Sequence, residues 1–341
     1  ILIRLKIKMK KNSVDSYSHL AKYIISCQQK SGVIAWEPNS KIDPWDHIES
    51  AMGLDVLGYQ RESLKAYEWL LNVQEQDGSW CSEYLGKEII NARKETNFTA
   101  YIATGAWHHY LNFKDEEFLK FIWPTIVKAM EFVISGQSEE GDILWAKDEN
   151  DEWMNDSLIT GCSSIYKSLR CFQKISNKLG FSKNIYEKEI NLLYEAINSK
   201  PHRFDRSWKS KDRYSMDWYY PILCGIISGE DARLRINSRW EEFVIKDLGC
   251  KCVTEEPWVT AAESCELVLT LVGMSEIEKA EKIFTDVLSL ADPESQLFWT
   301  GYVFADKKYW PIEKPSWTAA AVILAANSLY GFSESSDLFN E

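Results

Sequence analysis

The sequence predicts an all-α fold, an (α/α)6 toroid of six helical hairpins with twelve helices in an inner and an outer ring. Two observations lead there. The run from Thr318 to Leu329, entered through Pro315, Ser316 and Trp317, reads as a helix with almost no polar face. Such a helix is buried or in a membrane, and this one is too short and too closely flanked by charge to span a bilayer. Stretches of the same construction occur five more times upstream: an aromatic loop, a capping Asp, Asn, Ser or Thr, then small and apolar residues. Repeated units that cannot bury their apolar faces alone close economically into a ring.

The elements follow in order. Residues 13–29 carry apolar side chains at helical spacing and form the first outer helix, ending at Gly32. A loop with Trp36 and Trp45 leads to the first inner helix at Asp46. Outer helices are expected near 62–75, 115–136, 183–199, 231–246 and 275–290, each with one charged face. Inner helices open at Asn97, Asp156, Asp217, Thr260 and Trp317, so the inner starts are 43 to 61 residues apart. One toroid domain is expected over residues 13–331. Residues 1–12 form an N-terminal tail in which Met9 looks like a natural start, and 332–341 form a C-terminal tail.

Composition narrows the function. A net charge of -12, with the only basic cluster inside the first eleven residues, argues against nucleic acid and anionic membrane as partners. Eight cysteines without a Cys-x-x-Cys pair, and no export signal, point to reduced thiols in a soluble, cytoplasmic protein. The five histidines are too few and too scattered for a usual zinc site, and no glycine-rich phosphate loop occurs. No metal and no cofactor is expected; the partner is a small-molecule substrate, and the oligomeric state is left open.

Three segments, Gln28 to Ile34, Gln74 to Trp80 and Gln137 to Ile143, share the pattern Gln-x-x-x-Gly-x-Trp/Ile. They resemble the QW repeats of the terpenoid cyclase and protein prenyltransferase toroids. The blocks Asp217-Trp-Tyr-Tyr-Pro and Pro257-Trp-Val-Thr-Ala-Ala-Glu, with Trp310-Pro-Ile-Glu313 and Trp317-Thr, are similar to a bacterial family labelled prenyltransferase. The resemblance covers nearly the whole chain. It implies acid or acid/base chemistry on an isoprenoid or other apolar substrate. The chain departs from those families in lacking Asp-x-Asp-Asp and the Asp-x-Cys zinc pair. The same toroid also serves six-hairpin glycosidases, in which carboxylates at the inner helix ends act on sugars. That makes a carbohydrate-active hydrolase the alternative, and a binding toroid without chemistry the second alternative.

Six parallel inner helices bring their N-terminal ends to one mouth. The candidate catalytic carboxylates are Asp217, Asp46, Asp156 and Glu263, since two carboxyls facing across a cavity can act as acid and base. Asp217 leads, because Tyr214, Trp218, Tyr219 and Tyr220 surround it and disfavour its charged form. Substrate contacts are assigned to Trp45, His47, Glu49, Asn97, Trp153, Trp218, Tyr219, Tyr220, Trp258, Trp310, Glu313 and Trp317. Capping competes with catalysis for several of these acids, because Asp46-x-x-Glu49 and Thr260-x-x-Glu263 both have the spacing of a capping box.

Overall fold

A computed structural model of the chain describes residues 13–340; the basic segment 1–12 lies outside them. The outer helices are α1 (Ser18–Cys27), α3 (Gln60–Val73), α5 (Glu116–Ser135), α7 (Glu187–Ser199), the broken pair α9 (Gly229–Ser238) and α10 (Trp240–Phe243), and α12 (Ile277–Leu288). The inner helices are α2 (Pro44–Val56), α4 (Thr96–Phe113), α6 (Ile159–Lys178), α8 (Ser215–Leu223), α11 (Ala261–Gly273) and α13 (Ser316–Tyr330). Helix α2 packs on α4, α4 on α6, α6 on α8, α8 on α11, α11 on α13, and α13 returns to α2. The inner ring therefore closes, and the (α/α)6 toroid expected from the repeats is the fold.

Burial separates the rings as their sequences require. In α13 every residue from Thr318 to Asn327 is buried. In α12 only one stripe is, with Ala280, Ile283, Phe284 and Val287 at helical spacing. Inner helices approach closely where side chains are small. A Cβ on Gly53 of α2 would stand 3.0 Å from the Cα and Cβ of Ala320 in α13, so that crossing needs glycine.

The three Gln-x-x-x-Gly segments share one geometry. Each glutamine amide donates to the carbonyl of its own glycine, Gly32, Gly78 or Gly141, at 2.8 to 2.9 Å. It also donates to a carbonyl of the next outer helix, Glu62, Thr125 or Glu189. The glycines have φ of +97°, +93° and +99°, and a Cβ there would lie 2.1 to 2.3 Å from a backbone oxygen of that neighbouring helix. The motif is a staple between consecutive outer helices.

All strands lie in the connections that run from outer to inner helices, and so frame the mouth. They are β1 (Lys41–Ile42), β2 (Glu83–Leu85), β3 (Glu88–Asn91), β4 (Lys94–Glu95), β5 (Ala146–Lys147), β6 (Val244–Ile245), β7 (Gly249–Cys250), β8 (Trp258–Thr260), β9 (Gly301–Val303) and β10 (Lys308–Tyr309). Antiparallel pairing gives sheets β1-β2-β3 and β8-β9-β10 and two small ribbons. At the opposite end the segment after α13 packs against the ring. Ser335 and Leu338 are buried, and Asn327 donates to the Ser335 hydroxyl at 3.1 Å.

Candidate active site

Capping accounts for few of the mouth carboxylates. The N-cap of α2 is Asp43, whose Oδ1 accepts the Asp46 amide at 2.8 Å, with Pro44 in the first turn. Asp46 is thereby free of capping. The N-cap of α11, Thr260, makes no side-chain cap bond and its Oγ1 is buried without a partner, so Glu263 closes no capping box. Asp217 lies one turn beyond an N-cap, Tyr214, that also makes no side-chain bond.

Two acidic stripes result. On α2, Asp43, Asp46 and Glu49 descend from mouth to interior; on α11, Glu263 and Glu266 do the same. The side chains of Asp43 and Asp46 hydrogen-bond to each other. Burial raises both carboxyls above their usual range, Asp46 well above it, and the Asp43 charge adds to the rise at Asp46. Two carboxyls this close share a proton. One turn deeper, Glu49 accepts Trp45 Nε1 at 3.0 Å and Trp317 Nε1 at 2.7 Å. Burial pushes it up to about 7 against those two bonds. Glu266 accepts the hydroxyls of Tyr219 and Tyr220, each at 2.5 Å. Burial raises it well above the carboxylate range and the Glu49 charge adds to that, while the two phenols act in the opposite sense.

Glu49 and Glu266 line one chamber with Trp45, Tyr101, Ser164, Lys167 and Tyr220, closed below by Phe339. Its volume is about 10 Å3, room for a single water and no more. The Trp45 ring stacks on Tyr101 at 3.9 Å and 7°, forming a flat wall of the chamber. Asp43 and Asp46 lie toward the mouth from Glu49 on α2, and Glu263 lies one turn toward it from Glu266 on α11, where its carboxyl meets the Cys252 thiol.

Of the expected set, Trp45, Glu49 and Tyr220 line the chamber, Trp317 and Tyr219 bond to its two carboxyls, and Asp46 and Glu263 lie one turn nearer the mouth on α2 and α11. Other members are engaged elsewhere. Asp156 precedes α6 by three residues and takes hydrogen bonds from Ser157 N, Ser207 N and Ser207 Oγ, fixing the 203–207 loop. Asp217 is buried and pushed up to about 6 by that burial, but the charges around it are Arg235, Asp205, Asp212 and Arg239. His47 is fully enclosed: Nδ1 accepts the Ile34 amide at 3.0 Å and Nε2 donates to Ala66 O at 2.9 Å. Trp218 donates to Arg235 O and stacks on Phe243, facing α9 and α10. Trp153 packs on Phe132 and Gly136, and Glu313 accepts Thr300 Oγ1 at 3.1 Å. Trp258 donates to the carbonyl of the half-exposed Trp310 on the rim. Asn97 Oδ1 is buried at the mouth without a partner.

Asp43, Tyr101, Ser164, Lys167 and Glu266 are further members of the site. Asp43 carries a sequence signal, since Asp before Pro is an N-cap with proline in the first turn. Glu266 carries another, lying one helical turn after Glu263.

No family model matches the chain. Over 309 residues, covering 91% of this chain and 84% of the relative, it is 41% identical to the MMP endo-(1,4)-3-O-methyl-alpha-D-mannosidase of Mycolicibacterium hassiacum. The chain belongs to the family of that mannosidase. Solved structures agree on the architecture. A glycosidase in complex with glucose matches with a TM-score of 0.73 over 95% of this chain and 97% of that one, at 9% identity. A D-mannose isomerase gives 0.70 over 93% and 97% at 10% identity, and a sugar epimerase from a ruminal bacterium 0.66 over 92% and 98% at 11%. At such identities these three speak for the toroid alone.

Membership of a mannosidase family overturns the isoprenoid expectation. The prenyltransferase and terpenoid cyclase likeness rested in part on the Gln-x-x-x-Gly segments, whose glutamines and glycines staple consecutive outer helices. Among the described residues no helix is long and apolar enough to cross a membrane, and no group of three or more His, Cys, Asp and Glu could hold a metal ion.

Proposed function

We propose that this protein is an endo-acting glycoside hydrolase that cleaves α-1,4 bonds between 3-O-methylated mannose units. The observation that carries the chemistry is the pair of acidic stripes, the proton-sharing Asp43 and Asp46 above Glu49 on α2 and Glu263 above Glu266 on α11, with the Glu49 charge acting on Glu266 between them. The linkage and the methylated sugar follow the relative at 41% identity.

Asp46 is the general acid. Burial and the adjacent Asp43 charge keep its proton in place, so that it can be delivered to the glycosidic oxygen as the bond to the anomeric carbon breaks. The leaving sugar departs with a neutral hydroxyl. Water attacks the anomeric carbon and gives its proton to Glu263, which restores the balance of charge. Glu49, one turn deeper, adds to the field that keeps Asp46 protonated, because its charge raises both Asp46 and Glu266. Asn97 Oδ1, Thr260 Oγ1 and Thr318 Oγ1, unpaired at three inner helix ends, are acceptors and donors suited to sugar hydroxyls.

The test is incubation of the purified protein with 3-O-methylated α-1,4-mannan oligosaccharides, with products read by mass spectrometry. Internal cleavage that disappears in Asp46→Asn is expected. Intact substrate at every chain length would overturn the proposal.

A further inference from the structure

Glu49 makes an arrangement that its charge does not explain. One oxygen, Oε2, accepts two indoles, Trp45 Nε1 at 3.0 Å and Trp317 Nε1 at 2.7 Å, on a side chain that is buried. Trp45 lies one helical turn earlier on α2, so the first bond runs along one helix face. The second crosses to α13, from the first inner helix to the last, and both rings stand in the first turn of their helices, at the mouth. Each ring is also held from another side. Trp45 stacks on Tyr101, and Trp317 stacks on Trp36 at 6.1 Å and 30°. The Trp36 carbonyl accepts Ser316 N at 2.7 Å, and Ser316 Oγ donates to Ala35 O at 2.8 Å, so the loop before α2 is tied to the start of α13. The seam where the ring closes is therefore a wall of tryptophans. Trp36 and Trp317 are half-buried, and Trp36 Nε1 is shielded from water without a partner. An indole N–H left unpaired in that way is costly and points to a ligand oxygen.

We propose that Glu49 is a positioning residue: it sets the Trp45 and Trp317 rings, with Trp36 beside them, as the wall that holds a sugar unit next to the cleaved bond. The inference rests on the glycosidase function proposed above and adds what orients the sugar there. Aromatic faces take up the apolar face of a sugar ring, and the unpaired Trp36 N–H is a donor to one of its oxygens. A shared acceptor fixes both Glu49-bound rings before the substrate arrives, so that binding does not have to order them. Charge is not needed for this. A single carbonyl oxygen in the place of Oε2 accepts both indoles, so glutamine preserves the arrangement and leucine does not.

Glu49→Gln and Glu49→Leu both delete the charge, and only the leucine variant deletes the acceptor. Wild type and the two variants are compared on a 3-O-methylated α-1,4-mannan oligosaccharide, and the near-ultraviolet circular dichroism of the tryptophans is read on the free proteins. Expected in Glu49→Leu is a KM raised roughly tenfold, the cost of ordering two indole side chains on binding, together with a changed tryptophan band. Glu49→Gln is expected to keep the wild-type KM and the wild-type band. An unchanged KM in Glu49→Leu would overturn the positioning role while leaving the glycosidase assignment intact. A KM raised equally in Glu49→Gln would also overturn it, giving the effect to the charge. If wild type binds the methylated chain without cleaving it, the same comparison is made on Kd and the hydrolase assignment alone falls. Neither binding nor cleavage overturns both. Should Glu49→Leu fold poorly, Glu49→Met, which also lacks a carbonyl acceptor, carries the comparison.

Discussion

Helix α2 carries a buried acidic site at each end, and the two behave in opposite ways. At its N-terminal end Asp43, Asp46 and Glu49 have other carboxyls as neighbours, and burial raises all three. At its C-terminal end Asp55 is equally buried, but its partners are His109 Nδ1 at 2.9 Å and His108 Nδ1 at 3.5 Å. There burial alone would raise the carboxyl; the His109 charge and the bonds from both rings outweigh it and hold Asp55 below its usual range. His108 is in turn lowered by burial. Burial is common to both sites, so the partners decide. A carboxyl among carboxyls keeps a proton it can give away, whereas a carboxylate between imidazoles forms a pair that holds α2 to α4.

The largest effect that would break this comparison is at the mouth. Asp46→Asn should lower kcat on a methylated oligosaccharide by about 10²- to 10⁴-fold, the range of general acid catalysis. Its thermal midpoint should stay at or above that of wild type, because no buried charge pair is lost. Retained turnover would move the acid elsewhere on the stripe. At the other end the expectation reverses. Asp55→Ala leaves two buried imidazoles without their acceptor and should cost about 3–5 kcal/mol in urea unfolding, while turnover per folded molecule is unchanged. A stable Asp55→Ala protein would remove the structural role of that end.

The two ends also respond to pH with opposite sign. Mouth carboxyls whose folded values are raised bind more protons in the folded state, so their contribution is complete at low pH and is lost as pH rises through the raised values. Asp55, held low, contributes above its unfolded value near 3.9 and loses that contribution as pH falls. His47 belongs with Asp55. Burial lowers it to about 4, so between there and 6.5 the unfolded chain binds the proton that the folded ring refuses. Its contribution is complete above 6.5 and falls by about 3 kcal/mol by pH 4. His47→Gln should flatten that part of the stability curve, measured as urea midpoints from pH 7 to pH 4. A curve parallel to wild type would deny His47 the role.

The sequence made the ring legible because each inner helix shows its all-round burial locally, as α13 does in its run of alanines and aliphatics. The staples were legible as a repeat, yet as a family marker they misled: joining neighbouring outer helices is a geometric task that any toroid meets, whatever it catalyses. Glu263, Glu49 and Asp46 were visible as acids at helix starts. Whether they capped those helices was not, since Asp43 and Pro44 move the start of α2 by only two residues and free Asp46. Asp156 shows the reverse, placed at a helix start by spacing and drawn off by Ser207 from the next loop. Tyr101, Lys167 and Phe339 meet Glu49 and Glu266 only through closure of the ring, from helices far apart in the chain, and no local pattern announces such contacts.

The finest test of the comparison lies within the mouth stripe itself. If the N-terminal end of α2 works through carboxyls acting on one another, removing the lower charge should change the upper one without touching the substrate. Glu49→Gln keeps the acceptor oxygen for Trp45 Nε1 and Trp317 Nε1 but deletes the negative charge that raises Asp46 and Glu266. With that charge gone Asp46 releases its proton more readily, so the falling limb of the kcat/KM profile, which reports loss of the general acid, should move to lower pH. The rate on the plateau should change little, and the Asp55 end, a helix length away, should keep its stability profile. A falling limb that stays in place would mean that burial and Asp43 hold the Asp46 proton without Glu49 and that the lower carboxyl acts as a separate group.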